Sequence, residues 1–199
     1  MYVEISTDLE KICIFVICEK SLTNLPTSCI MKAYPKLSRK GDTLMKFSTN
    51  FVAAGKEFTT WYNYVPAPAF RRSFTIGKVT TAELTICGLG LYELFVNGNR
   101  ITRGLLSPYI ANPDDILPYD TYNLLPYLNN GENVIGVLLG NGMLNSFGGQ
   151  VWEFDTARFR SAPKLALTFE AALEDGSAVE FDAASGFKCA PSPIILDDI

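Results

Sequence analysis

Short apolar stretches recur along the chain from about residue 47, and turn-forming residues separate them. RRSFTIG, AELTICG and LYELFVNGNRI are rich in β-branched and aromatic residues, which favour strands. In the third stretch Tyr92, Leu94 and Val96 are spaced two residues apart, so their side chains lie on one face of a strand. The intervening residues lie on the other face. This alternation predicts strands rather than helices.

Turn sequences join two pairs of the predicted strands. Asn97-Gly98 supplies the positive φ values of a type I′ turn, which we expect to fix the register of a hairpin without chemistry of its own. Later, KLALTFEAAL leads through a polar turn at residues 174–177 into AVEFDA. The composition of KLALTFEAAL also suits a helix, but its apolar alternation and the turn after it favour a second hairpin.

The apolar run NVIGVLLG suits a strand that is buried on both faces. In all, six to nine strands are predicted, without a convincing amphipathic helix. We therefore predict an all-β fold, an antiparallel β-sandwich of the jelly-roll type, over residues 46–199. Residues 1–45 lack the strand rhythm and end in the polar stretch KLSRKGD, so we predict an N-terminal arm or linker there.

A long excursion separates the first hairpin from NVIGVLLG. Its sequence, RGLLSPYIANPDDILPYDTYNLLPYLNNGE, contains several prolines, an acidic pair and tyrosines on both sides of Asp120. These features predict an irregular loop that is closed by a strand at YDTYNLL. Loops of this length in compact β domains are usually functional or disordered, and the aromatic content argues against disorder.

The composition narrows the classes of function. The 199 residues are 48% hydrophobic and 19% charged, which is typical of a globular chain. The net charge is −4 and the Lys and Arg residues are scattered, so neither nucleic acid nor a membrane surface is an expected partner. The chain contains no histidine, which excludes Ser-His-Asp and Cys-His catalysis and histidine-ligated zinc.

The cysteines and the N-terminal apolar run indicate the compartment. Five cysteines without CxxC spacing argue against a disulfide framework and a zinc ribbon, so reduced thiols are expected. The run Ile12–Cys18 is too short to span a bilayer, which takes about 20 residues. The acidic residues before it do not match a signal peptide. We predict a soluble protein that is cytoplasmic rather than secreted.

Two consecutive stretches, GLGLYELFVNGNRI and SPYIANPDDILPYDTYNLLPYLNNGENVIGVLLGNG, carry a resemblance to a known family. They resemble the N-terminal domain of bacterial α-L-rhamnosidases of glycoside hydrolase family 78, in register over about residues 70 to 190. The matching features are, in order, Tyr92-Glu93, Asn97-Gly98, Pro108, Tyr119-Asp120-Thr121-Tyr122, Leu124-Leu125, Gly131-Glu132-Asn133 and Gly140-Asn141-Gly142. The sequence departs from the family pattern at Met143, where the family has an aromatic residue, and at Ile116, where it is usually basic.

The resemblance implies a β-sandwich placed before an (α/α)6 catalytic barrel. In some members this domain is a calcium-dependent, rhamnose-binding module, carbohydrate-binding module family 67. L-rhamnose or a rhamnose-containing glycan, calcium and the barrel of a longer product are therefore the implied ligand, metal and partner. This chain stops at IILDDI, before such a barrel begins, so we expect a non-catalytic carbohydrate-recognition or accessory domain.

Asp114 and Asp115 are the first candidates for ligand binding. They align with the loop position at which the rhamnose-binding members of the resembled family use an acidic/amide pair. Adjacent carboxylates can chelate a hard cation such as calcium, or accept hydrogen bonds from vicinal hydroxyls. The alternative is a solvated turn, because Pro-Asp-Asp is ordinary turn chemistry.

Aromatic side chains are the second group of candidates. Tyr109, and Trp152 in the Gly-bounded stretch GGQVWEFDTARFR, can each offer a flat face to a sugar ring and a polar group to a hydroxyl. Tyr119 and Tyr122 have the same chemistry, although a core position on the strand is favoured for Tyr122.

Two alternatives to sugar recognition stay open from the residues. The first is a purely structural sandwich that positions a catalytic barrel, which would leave a large apolar surface patch on the isolated domain. The second is an autonomous glycosidase, for which nothing in the sequence fixes two carboxylates at the required separation. Its candidate carboxylates are Glu93, Asp114, Asp120, Glu153 and Asp155.

Overall fold

The structure, a computed structural model, describes residues 50–57, 59, 60, 62–104, 106–109, 111, 117–145 and 160–195. The predicted arm, residues 1–45, lies outside the described residues, so that domain boundary stays a prediction. Within the described ranges the chain forms one short α-helix, α1 (Gly142–Asn145), one turn of 3₁₀ helix (Leu125–Tyr127) and ten strands. The strands are β1 (Val52–Ala53), β2 (Pro68–Ile76), β3 (Val79–Leu89), β4 (Leu91–Val96), β5 (Asn99–Arg100), β6 (Asp120–Asn123), β7 (Gly131–Gly140), β8 (Lys164–Leu173), β9 (Ala178–Asp182) and β10 (Lys188–Pro191).

Two antiparallel sheets make up the fold. The first sheet has the order β1-β8-β3-β6, and β9 pairs with the same edge of β8 further along that strand. The second sheet has the order β10-β2-β7-β4-β5. Consecutive strands often lie in different sheets, as β2, β3 and β4 do. The predicted all-β, antiparallel sandwich is confirmed, and so is the strand assignment of KLALTFEAAL.

The core lies between the sheets and follows from the alternation along each strand. Tyr92, Leu94 and Val96 of β4 are buried, while the residues between them are half-buried, as the spacing predicts. Burying such side chains is the main favourable contribution to folding, at about 25 cal/mol per Å² of apolar surface. The largest fully buried side chains are Tyr92, Phe70, Phe169, Leu84, Ile86, Leu94, Leu124, Ile135, Leu139, Leu165, Leu167 and Val52.

The sequence predicted that β7, which contains NVIGVLLG, is buried on both faces, but β8 is the strand that has this property. In β7 the inward face is buried, whereas Val134 and Leu138 on the opposite face are half-buried. In β8 the five consecutive residues from Leu165 to Phe169 are all buried. Both strands are central in their sheets, so strand position alone does not explain why the two outer faces differ.

The hairpin between β4 and β5 has the predicted geometry. Asn97 and Gly98 have φ values of 50° and 80°, as a type I′ turn requires. The Asn97 side chain also donates to the Tyr127 carbonyl and to Asn133 Oδ1, both at 2.8 Å, and accepts from the Val134 amide at 2.9 Å. The asparagine thus ties the turn to β7, which agrees with a purely structural role.

A single glycine carries the chain from the first sheet to the second. Leu89 pairs with Lys164 in the first sheet, and Leu91 pairs with Gly140 in the second. Gly90 between them has a φ of 102°, and a Cβ there would lie well inside the contact distance of the Gly140 carbonyl oxygen. We call this end of the sandwich the loop end, and the opposite end, which contains Asn97, the hairpin end.

Candidate functional site

The excursion after the first hairpin is held at both of its ends by Tyr92. The Tyr92 amide donates to the Ser107 carbonyl at 2.6 Å, where the excursion begins. The Tyr92 hydroxyl donates to Asp120 Oδ2 at 2.5 Å, where β6 begins, and lies 3.1 Å from the Tyr122 hydroxyl. We call Tyr92, Ser107, Asp120 and Tyr122 the first root. One residue of the second sheet thus holds the start and the return of the excursion.

The Tyr92 ring packs directly on Gly88, where there is no room for a side chain. A Cβ at Gly88 would lie 2.9 Å from Tyr92 Cδ1, which is closer than real Cβ contacts. Tyr92 is only 2% exposed, so the ring cannot move outward into solvent to make room. Gly88 in the first sheet and Tyr92 in the second therefore pack as a complementary pair that sets where the hydroxyl sits.

Burial keeps the two tyrosine hydroxyls of the first root, and a neighbouring thiol, in their neutral forms. Burial raises the pKa of Tyr92 far above its usual range, and its hydrogen bond to Asp120 adds to the shift. Burial also raises the pKa of Tyr122. In the neighbouring β3, burial raises the pKa of the Cys87 thiol to about 12, and the charge of Asp120 adds to this. These groups are neutral hydrogen-bonding groups at physiological pH, so none of them is an activated nucleophile.

A second polar network lies where β7 ends. The Asn145 amide group donates to Asn141 Oδ1 at 2.6 Å, and Asn145 Oδ1 accepts from the Thr59 amide at 2.9 Å. Arg160 donates to the Thr59 and Asn145 carbonyls. We call Thr59, Asn141, Asn145 and Arg160 the second root. It joins the residues on both sides of 146–159, a segment that lies outside the described residues.

The two roots are neighbours at the loop end. Tyr92 pairs with Leu139 across the β4–β7 ladder, two residues before Asn141. A Cβ on Gly142 would lie 3.1 Å from the Leu91 side chain, so α1 packs directly beside the start of β4. The excursion and the 146–159 segment therefore leave the sandwich from the same end.

Sequence reasoning named Asp120 as a candidate carboxylate and Tyr122 as a core or sugar-contacting residue, but it predicted neither root as a hydrogen-bonded network. Tyr92 and Asp120 are 28 residues apart, and nothing local in the chain indicates that they meet. For the second root the sequence did contain a weak indication. Asn141 and Asn145 are four residues apart, and residues at this spacing lie on the same side of a helical turn.

The predicted ligand residues are only partly described. Asp114, Asp115 and Trp152 lie outside the described residues, so their placement stays a prediction. Tyr109 lies on the excursion with its side chain 89% exposed, which leaves its ring available to a ligand. Tyr122 is half-buried and packs against the core, as its strand position predicts.

Two of the candidate carboxylates, Glu93 and Asp120, lie in the described part of the chain, and they are held in different surroundings. Glu93 is on the outer face of the second sheet and is bound to Arg100 at 2.6 Å. Asp120 points inward to Tyr92. The two therefore do not face each other across a cleft, as glycoside hydrolysis requires of its carboxylates. Within the described ranges, no three His, Cys, Asp or Glu side chains come together as prospective metal ligands.

Comparison with known proteins identifies the family in which this architecture occurs. Residues 77–199 match the α-L-rhamnosidase N-terminal domain family. The chain belongs to this family. The match includes both roots except Thr59, together with the whole excursion.

Similar α-L-rhamnosidases come from several organisms. The one from Formosa agariphila is 32% identical over 139 residues, which cover 67% of this chain and 14% of that protein. A solved α-L-rhamnosidase from Dictyoglumus thermophilum is 34% identical with a TM-score of 0.58, covering 67% of this chain and 14% of its own. The structure from Streptomyces avermitilis, complexed with L-rhamnose, is 26% identical with a TM-score of 0.60, covering 68% and 13%.

This α-L-rhamnosidase N-terminal domain thus spans about one seventh of the length of relatives it matches. In the described part of the chain, no helix has the length and apolar character needed to cross a bilayer.

Proposed function

We propose that this chain is a non-catalytic carbohydrate-recognition domain of an α-L-rhamnosidase-like glycoside hydrolase. In this proposal residues 46–199 are the recognition domain, and residues 1–45 are an arm that precedes it. The ligand is L-rhamnose or a rhamnose-containing glycan. The family membership supports the glycoside hydrolase context, and the rhamnose bound to the Streptomyces avermitilis relative supports the choice of sugar.

One structural observation supports ligand recognition in addition to the family membership. The predicted ligand residues belong to two segments whose described flanking residues, in the first and second roots, are held at the loop end by partly or fully buried hydrogen bonds. Binding sites are commonly built from loops that a rigid sandwich holds in place, because the scaffold reduces the loss of entropy on binding. The exposed Tyr109 ring on the excursion adds an apolar surface at this end.

The proposed contacts follow the chemistry of a deoxy-sugar. Rhamnose presents hydroxyls and a methyl group, so its site needs hydrogen-bond acceptors beside an apolar surface. Asp114 and Asp115 would accept hydrogen bonds from vicinal hydroxyls, and Tyr109 or Trp152 would contact the apolar face of the ring.

We propose Asp114 and Asp115 as the side chains that would bind calcium. The described residues offer no set of three acidic or other metal-ligating side chains, and Asp120 is already bound by Tyr92. Calcium needs about six to eight oxygen ligands, so Asp114 and Asp115 would need backbone, water or sugar oxygens as well. Calcium bound there would orient both the carboxylates and the sugar hydroxyls.

The second candidate function is a structural one. The outer face of the second sheet carries the half-buried apolar residues Leu91, Phe95, Val134 and Leu138. A surface of this kind suits packing against another domain, such as the catalytic barrel of a longer rhamnosidase. Autonomous glycosidase activity has less support, because the two described candidate carboxylates point to different sides of the second sheet.

Titration calorimetry with L-rhamnose tests the proposal. We expect binding by the purified chain, and stronger binding when calcium is added than when a chelator is present. L-Lyxose, which keeps the configuration of the ring hydroxyls but lacks the methyl group, is the matched control ligand and should bind more weakly. The absence of heat with L-rhamnose under both conditions, with the fold intact by circular dichroism, would favour the structural role.

A further inference from the structure

The outer face of the first sheet, which is turned away from the second sheet, is buried at its centre. Ala166 and Thr168 of β8 and Thr85 of β3 alternate with core residues, and they are 0%, 3% and 2% exposed. The second sheet packs on the opposite face of the first, so it does not bury these positions. An antiparallel sheet often leaves one face to water. Another part of the protein therefore covers this face.

The described part of the chain begins beside this buried centre. The Asn50 side-chain amide donates to Asp182 Oδ2 at 2.9 Å, and Asp182 of β9 is the direct partner of Thr168 in the ladder with β8. A stretch of ten residues can span at most about 35 Å. The strands β3, β8 and β9 are together only about 10 Å wide from axis to axis. The residues before Asn50 are therefore long enough to cross the whole sheet.

A row of three glutamates lies next to the buried centre on the same face. Glu83 of β3 pairs with Glu170 of β8, and Glu170 pairs with Glu180 of β9. Side chains that are directly opposite on neighbouring strands lie about 5 Å apart, and like charges there destabilise a sheet. A segment with several cationic side chains offsets such repulsion. A single metal ion fits less well, because no three His, Cys, Asp or Glu side chains of the described ranges are grouped as metal ligands.

Residues 32–46, which come shortly before the described part of the chain, have the complementary chemistry. We call them the basic segment. It has one acidic residue, Asp42, and five basic ones, at Lys32, Lys36, Arg39, Lys40 and Lys46. Its apolar residues, such as Leu37 and Leu44, suit contact with alanine and with the methyl groups of threonine. The segment thus offers both charge and apolar surface to this face.

We propose that the basic segment lies across the outer face of the first sheet, with its cations over Glu83, Glu170 and Glu180. The segment then covers the sheet instead of acting as a free linker. This arrangement explains why the outer face of β8 is buried while that of β7 is only half-buried. The inference goes beyond the proposed function and does not depend on sugar binding.

Limited digestion of the full chain with trypsin tests the proposal, because trypsin cleaves after the Lys and Arg residues of the basic segment. The test variant carries Glu83→Gln, Glu170→Gln and Glu180→Gln, which remove three charges and keep the side-chain size. An exposed ion pair shifts an equilibrium by about twofold, so we expect cleavage within residues 32–46 to be about tenfold faster. Proteolysis of this kind follows the population of the open form.

The matched control carries the same number of changes on other surfaces, and it should be cleaved like the parent. Its substitutions are Glu93→Gln, Glu132→Gln and Glu174→Gln. Raising the salt to about 0.5 M should speed cleavage of the parent relative to the test variant, because salt screens exposed charges. L-Rhamnose binding should be unchanged in both variants, so the result is separate from the proposed function.

A second variant, Lys36→Gln with Lys40→Gln, tests the same contact without altering the sandwich. We expect cleavage after Arg39 and Lys46 to be about fourfold faster than in the parent. This variant decides the question if the glutamate variant is unfolded by circular dichroism. Equal cleavage rates in the parent, the control and both test variants would refute the proposal. Protection that is lost on dilution would also refute it, because the segment would then bind a second copy.

Discussion

The Tyr92 hydroxyl lies 2.5 Å from the Asp120 carboxylate, and this hydrogen bond connects the two sheets at the first root. Tyr92 belongs to β4 of the second sheet and Asp120 to β6 of the first. Tyr92 is only 2% exposed, and its hydroxyl extends to the Asp120 carboxylate at the start of β6, where the excursion returns to the sheet. Buried polar pairs of this kind specify one arrangement of the elements they join, because an unpaired carboxylate there is costly.

Replacing Tyr92 by Phe tests the strength of this connection. The variant keeps the ring over Gly88 but leaves the Asp120 carboxylate without its donor. We expect a loss of about 1.5–3 kcal/mol in the free energy of unfolding, as for hydrogen bonds to charged groups. Urea denaturation followed by circular dichroism measures it. Tyr127→Phe, at an exposed tyrosine of the hairpin end, is the control, and equal midpoints for both variants would show that the hydrogen bond adds nothing.

Gly90→Ala tests the crossing between the sheets. The added Cβ meets the Gly140 carbonyl oxygen, and the positive φ is unfavourable for alanine. The matched control is Gly98→Ala, because Gly98 also has a positive φ but no atom within 4 Å of the added Cβ. We expect the control to lose about 1–2 kcal/mol of stability. Gly90→Ala should lose about 1–3 kcal/mol more, because it adds a steric clash. Similar losses in both variants would mean that the crossing tolerates a side chain.

Alkaline pH should destabilise the domain through Cys87. Burial raises the pKa of Cys87 from the usual thiol value of 9.0 to about 12 in the folded protein, so the neutral thiol stabilises the fold fully below pH 9. That contribution is lost as pH rises from 9 to about 12, with a maximum slope of about 1.4 kcal/mol per pH unit for one proton. The raised pKa of Tyr92 acts in the same direction above about pH 10. Thermal midpoints measured from pH 8 to 11 should fall less steeply in Cys87→Ala than in the parent, and identical slopes would contradict the assignment.

Asp114→Ala tests the acidic pair. We expect it to abolish detectable L-rhamnose binding, because a weak site cannot lose a charge-assisted hydrogen bond of about 1.5–3 kcal/mol. The thermal midpoint should stay nearly unchanged, since a solvated loop contributes little to the core. Asp175→Ala, at an exposed turn of the hairpin end, is the control and should bind normally. A variant that binds like the parent would move the site elsewhere, and one that unfolds would make the pair structural.

Local patterns were enough to predict much of the fold. The two-residue spacing in β4 correctly placed Tyr92, Leu94 and Val96 on one face, and Asn97-Gly98 gave the correct turn type, because both depend on neighbouring residues only. The alternation in β8 correctly outweighed its helix-favouring composition. The first root was not predictable in this way. The contact between Tyr92 and Asp120 depends on how two sheets pack, which no spacing along one strand determines.

The candidate site itself stays a prediction, and the sequence indicated only which loops would carry it. The length and composition of the excursion marked it as a functional loop, and the structure roots it beside the second root at the loop end. The contact between Thr59 and Asn145 could not be read from sequence, because the two are 86 residues apart. Contacts of such long range follow from the closure of the whole sandwich.

The pairing of β2 with β10 has a consequence for the order of folding. Pro68 at the start of β2 pairs with Pro191 at the end of β10, so one edge of β2 gains its partner only after the rest of the sandwich sequence has been synthesised. Until then a nascent chain exposes an open strand edge, which invites pairing with other chains. Pairings this distant in sequence also slow folding, because a long loop must close before they are made. The β2 edge is therefore one point at which newly made copies of this domain are open to aggregation.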